Sequence, residues 1–267
     1  TSIRYSIFVQ NGYHLTTGIL NLNSKHILKN IYDKADFILS ISEDTSDSIK
    51  SFLSIPESKI IRMHYFRAIT QLKKNENKEN LISYMPRKNY EHAQKVIFGL
   101  ADNLPKDWKI IPIINMSDSE VVNTLNKSKI FLSFSSFEGF PAPPIEAAFA
   151  YNFVIGYHGR GGKEYWDPPV FTEIEPFDIK SFVNSIMEKV NYLDKLFDFP
   201  YDEFKNFHNQ FIGLLSQENE IKCLKNLYSK IKDINLELKT PMIITNSFQK
   251  NKIAFNIQSK CFGIKRR

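Results

Sequence analysis

Cysteine is almost absent. Only Cys223 and Cys261 occur among 267 residues, too few for a disulfide scaffold or a Cys-ligated zinc site. Long apolar runs are missing as well. No window reaches the ~18 consecutive apolar residues that a bilayer-crossing helix needs, and the mean hydropathy is −0.30. The first residues show no basic-then-apolar leader, so a cytoplasmic location is the expectation. No two aspartates lie two apart, which removes an Asp-x-Asp metal–nucleotide motif. His14, His64 and His158 have no partners at ligand spacing and read as satisfied or surface histidines. No metal and no cofactor is expected. Acidic residues are lacking in one stretch only: after Leu238 there are seven basic residues and no acid. Without those seven, 28 basic residues face 29 acidic ones. The net charge of +6 therefore describes a tail. It reads as a solvated terminus, with peripheral contact to an anionic membrane as the further expectation and nucleic acid as none.

What is present points to an ordinary globular core: 42% hydrophobic residues with 22 Phe and 12 Tyr, and 24% charged residues, which exclude wholesale disorder and a fibrous protein. Apolar runs of about five to eight residues alternate with stretches of helical period, the pattern of βαβ units and a parallel sheet. The fold class is α/β. Strands are predicted at 4–10, 36–42 and 59–65, with helices at 25–34 and 43–54. Residues 67–80 lose periodicity in a Lys/Asn/Glu stretch and read as a linker. Alternation then restarts, with strands at 81–85, 108–114, 130–134 and 153–157 and helices at 90–103, 117–126 and 143–151. From 178 to 234 the pattern is helical nearly throughout, and Cys223 reads there as a buried packing residue. The expected organisation is a partial α/β domain at 1–66, a linker at 67–80, a nucleotide-binding domain at 81–235 and a basic tail at 236–267.

The chemistry concentrates in residues 128–166, SKIFLSFSSFEGFPAPPIEAAFAYNFVIGYHGRGGKEYW. Two loops in it leave the carboxyl ends of strands, the edge where open parallel sheets bind ligands. Glu138 lies in the first loop and Glu146 on the following helix, eight residues on. Amides and the dipole at that helix start favour a phosphate nearby. A Walker A loop ending at Gly162-Lys163 fails, because Tyr157 stands where it needs Gly and Glu164 where it needs Ser or Thr. A dinucleotide fingerprint on Gly159 and Gly161 fails for want of a third glycine at 164. Gly159, Gly161 and Gly162 read equally as a ligand loop or a plain flexible one.

EGFPAPPIEA at 138–147 resembles the E-x7-E element of retaining GT-B glycosyltransferases of the group-1 or family-4 kind, which use nucleotide-sugar donors. FVIGYHGRGGKEYW is similar to that family's next strand and small-residue loop, and YMPRKNYEHAQ at 84–94 to its diphosphate-binding strand–loop. YSIFVQN and ADFILSISEDTSDSIKSF look like the second half of its acceptor-side domain, with Gln10 or Asn11 where the family has a histidine and His14 just beyond. The resemblance implies a Rossmann-like donor domain with a shortened or truncated N-terminal one. It gives Glu138 the hydroxyls of the donor sugar and a catalytic role, and Glu146 the ribose. Arg87 and Lys88 would neutralise the diphosphate, helped by backbone amides of Gly139, Phe140 and Ala142, while Met116 and Ser117 are candidates for contact with the nucleobase. Pro141 departs from the family's usual second glycine and removes one backbone donor. The implied function is transfer of a sugar from a nucleotide donor to a glycan or lipid-linked acceptor, retaining and metal-independent, in polysaccharide biosynthesis. The other reading is a non-catalytic nucleotide-sugar-binding or interaction protein on the same fold.

Overall fold

The computed structural model describes residues 4–17, 22–66 and 71–237. The chain divides into two compact units, one of Thr1–Phe66 with Leu215–Arg267 and one of Arg67–Leu214. Among the described residues each has its own parallel sheet, of three and of five strands.

In the first unit, β1 (Ile7–Val9), β2 (Ile38–Ser40) and β3 (Ile60–Arg62) pair in sequence order, with Ile7 beside Ile38 and Ile38 beside Ile60. Strand side chains alternate between faces, and both faces here are apolar. Ile38 joins Val9, Leu15, Tyr32, Ile49 and Leu53 in one cluster, formed with α1 (Leu22–Lys34) and α2 (Glu43–Leu53). Leu39 joins Phe37, Ile61, Met63 and Leu227 in the other. Leu227 belongs to α8 (Gln217–Glu237), whose Cys223, Leu224 and Ile231 pack on the same cluster. A parallel sheet needs cover on both faces, and α8 supplies the second. This divides the run expected as one domain from 81 to 235: its last helix belongs to the first unit. α2 begins where the Ser42 side chain accepts a hydrogen bond from the Thr45 amide at 3.0 Å. It ends on Ser54 in the left-handed region, at φ +53°.

In the second unit the order is β5–β4–β6–β7–β8, all parallel. The strands are β4 (Glu79–Tyr84), β5 (Lys109–Pro112), β6 (Ser128–Glu138), β7 (Phe153–Arg160) and β8 (Phe171–Glu173). β8 lies where the sequence pattern predicts no strand. The helices are α3 (Tyr90–Leu100), α4 (Asp118–Lys127), α5 (Ala142–Phe149), α6 (Ile179–Asp194) and α7 (Lys205–Leu214). On one face Phe134 and Tyr157 meet Phe182 of α6, and His92 of α3 stands edge-on to Tyr157. At the amino end of the sheet Lys78 is the staple. Its Nζ donates to the carbonyls of Leu125, Ser128 and Ala150, joining the starts of three strands. Burial pushes this ammonium well below the usual lysine range, and three carbonyl acceptors favour its charged form.

The stretch expected as a linker is held in this unit where the structure describes it. Asn126 bonds both Gln71 and Lys73 of the backbone, and Tyr201 donates to the Asn75 carbonyl. Residues 67–70, and the basic tail from 238, lie outside the described residues.

Candidate active site

The predicted site residues gather at the carboxyl ends of β4, β5 and β6: Glu138, expected in a loop, is the last residue of β6, Ala142 and Glu146 lie on α5, and the others lie on the segments between strand and helix. β4 runs directly into a short turn, Pro86–Lys88, which carries Arg87 and Lys88. The sheet order puts β6 beside β4, so the end of β6 stands next to that turn. There the Lys88 ammonium forms an ion pair with the Glu138 carboxylate, and both side chains are about three-quarters buried (29% and 23% exposed). A contact between residues fifty positions apart, both largely sheltered from water, is less screened than a surface pair. Arg87 is exposed. Of the adjacent basic pair, Lys88 is the one that reaches the acidic loop.

Glu138 ends β6 under local strain. The β6–β7 register shifts between Ser135 and Glu138, and Phe137 lies in the left-handed region at φ +49°, a conformation that costs a non-glycine residue roughly 1–3 kcal/mol. Asn115 after β5 and Arg160 at the end of β7 are left-handed too. The carboxyl edge of this sheet thus gathers unusual backbone, as functional edges do.

The loop after β7 is built against Glu138. Gly161 donates its amide to the Glu138 carbonyl at 3.1 Å. A Cβ on Gly161 would stand 2.0 Å from the Gly139 carbonyl oxygen, so only glycine fits. Gly159, at φ +63°, lies against the Ser135 and Glu138 side chains. These glycines form a wall rather than a slack loop. Tyr165, fully buried, donates from its hydroxyl to the Pro141 carbonyl and fixes the far side of the same turn.

α5 starts at Ala142 with Pro141 before it. Prolines suit a first helical turn, but Pro143 and Pro144 have no N–H, so this helix start offers a phosphate fewer amides than expected of a generic one. Phosphate charge must then be met more by side chains. Glu146 is half-buried in the second turn of α5. Ser117 caps α4: its hydroxyl and amide both bond the Glu120 carboxylate, at 2.6 and 2.7 Å, in a capping box. That hydroxyl is committed to the helix. Met116 accepts through its sulfur from Thr124 at 3.7 Å. Among the described residues no three His, Cys, Asp or Glu side chains converge as a metal-binding group would.

No family model and no curated protein matches the sequence. Solved structures do match in shape. S. aureus TarM, solved as a mutant with Fondaparinux, alpha-GlcNAc-glycerol and UDP, superposes with a TM-score of 0.66 at 15% identity, over 84% of this chain and 50% of that one. Sucrose-phosphate synthase from Thermosynechococcus elongatus gives 0.65 at 12%, over 88% and 69%. Anabaena HepE in complex with UDP-glucose gives 0.63 at 10%, over 85% and 72%. All three are GT-B glycosyltransferases. The fold is GT-B-like. The chain spans about half the length of TarM. The five-stranded unit carries the Glu138–Glu146 segment.

Proposed function

We propose that the chain is a glycosyltransferase that moves a sugar from a nucleotide donor to a glycan or lipid-linked acceptor, with retention and without a metal ion. The observation that carries this reading is the Lys88–Glu138 pair at the carboxyl edge of the β4–β6 strands, in a fold shared with proteins solved with UDP or UDP-glucose. In this reading Glu138 accepts hydrogen bonds from donor-sugar hydroxyls and Glu146 from the ribose hydroxyls. Met116 lies beside the nucleobase. As the C1–O bond breaks, its electron pair moves onto the departing diphosphate, and Lys88 and Arg87 offset the charge that grows there. Amides of Gly139, Phe140 and Ala142 add to that effect. The acceptor oxygen bonds C1 on the face the diphosphate leaves, and its proton passes to a diphosphate oxygen. The Lys88 ammonium also holds the Glu138 carboxylate aimed before the donor arrives, as a preformed site requires. Cytoplasmic location, and a peripheral membrane contact by the basic tail, belong to the same proposal.

The test compares Glu138→Gln with Glu146→Gln in the full-length protein, by calorimetric titration with UDP and by turnover of a nucleotide-sugar donor. Glu138→Gln should lower turnover at least about tenfold with UDP affinity little changed, since its contact counts most as the anomeric centre rearranges. Glu146→Gln should weaken UDP itself. Donor binding by the wild type with neither transfer nor hydrolysis would favour the non-catalytic reading.

A further inference from the structure

We infer that His158 is the positioning residue for the Glu138 loop, an inference that rests on the glycosyl-transfer reading of that loop. His158 lies near the end of β7, 9% exposed, and both ring nitrogens are in use. The Arg160 amide stands 2.9 Å from Nδ1. A backbone N–H can only donate, so Nδ1 is the acceptor and the ring proton sits on Nε2. That proton points at Glu173 Oε1 on β8, 3.0 Å away. The His158 carbonyl in turn accepts from the Gly162 amide at 3.0 Å. One residue therefore ties down both ends of the turn 160–162.

That turn is what Glu138 leans on. Arg160 is the register partner of Glu138, and Gly161 donates to the Glu138 carbonyl at 3.1 Å. Gly159 and Arg160 are both left-handed, at φ +63° and +70°. A turn with an arginine in that conformation needs an external hold, and the imidazole supplies it from inside the sheet. The line of contact runs from Glu173 through His158 to the Arg160–Gly161 backbone and so to Glu138. His158 touches no substrate in this account; it sets where the Glu138 carboxylate stands. A histidine retained for packing alone would need neither the defined tautomer nor the bond to the turn.

Three variants of the whole protein separate the two bonds. His158→Asn keeps an acceptor oxygen where Nδ1 stood. His158→Gln keeps an N–H that can reach Glu173 but leaves the Arg160 amide without its acceptor. His158→Leu keeps neither. Amide exchange at Arg160 and Gly161 by NMR reads the clamp. Calorimetry with UDP and UDP-glucose reads the site, as the extra affinity for the sugar-bearing ligand. In the Leu and Gln variants, Arg160 exchange should rise about tenfold or more, the loss of one ordinary hydrogen bond. The UDP-glucose preference should fall with it while UDP binding holds, and Asn should stay near wild type in both. If Leu does not fold, the Gln–Asn contrast decides. Unchanged Arg160 exchange in Gln, or Asn behaving like Gln, overturns the clamp. Faster exchange with an unchanged sugar preference overturns its link to Glu138. Failure of the wild type to bind either nucleotide overturns the donor reading and the inference with it, and the exchange data tell that failure apart from a failed clamp.

Discussion

Single residues at the carboxyl edges of both sheets carry more than their type announces. Glu138 is legible as an acidic loop residue, and the resemblance of EGFPAPPIEA gives it a role; its partner Lys88, fifty residues earlier, is brought to it only by the β4–β6 pairing. Phe137 shows nothing in sequence of its left-handed backbone, because that conformation is forced by the register shift beside it. His64, which follows β3, is a further case. Burial, and then the Arg62 charge, push its imidazole down to about 4 from an ordinary value of 6.5. A histidine whose folded value is depressed stays neutral in the fold while the unfolded chain takes up the proton. Its contribution to stability is therefore fully present above pH 6.5 and is lost as pH falls from there toward 4. The melting temperature of the wild type should drop over that window by more than that of His64→Gln, since the glutamine cannot titrate. Parallel curves for the two proteins would contradict this account.

At the scale of elements, helices with a strong period and a recognisable cap were readable from sequence. α4 has its capping box in Ser117 and Glu120, and α2 its Ser42, and both fall where the pattern puts them. Strand β6 is expected at 130–134 but runs from Ser128 to Glu138; among the added residues Ser135 and Glu138 pair with β7 and Ser128 with β4, and cross-strand pairing leaves no local mark. The Lys/Asn/Glu stretch before β4 looked like a linker because it has no period. Lys78 at its end is nevertheless buried among three carbonyls, a use of lysine that composition cannot reveal. Lys78→Met should keep the aliphatic bulk and leave the Ser128 carbonyl unpartnered. Asn152 still reaches the Leu125 and Ala150 carbonyls. The expected loss is about 1–3 kcal/mol, the cost of one buried acceptor left without a donor. It should appear as a lower urea midpoint at an unchanged slope; a midpoint at the wild-type value would refute the staple.

Across the whole molecule the notable feature is that the first unit is completed by a helix that follows the whole second unit in sequence, α8. Leu227 and its neighbours on α8 cover the Phe37, Leu39, Ile61 and Met63 face, so a chain ending after Leu214 would expose that face. Such a truncation should retain the cooperative melt of the five-stranded unit while the first unit becomes sensitive to proteolysis, and Leu227→Ala should weaken the first unit by roughly 2–5 kcal/mol. Limited proteolysis followed by mass mapping checks this, and equal resistance of Thr1–Phe66 with and without α8 would count against it. The sequence by itself determined the α/β class, the order of most strands and helices and the segment in which the chemistry lies. Those follow from local periodicity and capping, which act within a few residues of chain. The tertiary structure alone decided which distant groups meet: Lys88 with Glu138, His158 with Arg160 and Glu173, Lys78 with the carbonyls of Leu125, Ser128 and Ala150, and α8 with the first sheet. Such pairings depend on which strands lie side by side and which faces remain to be covered, and a one-dimensional pattern holds no record of either.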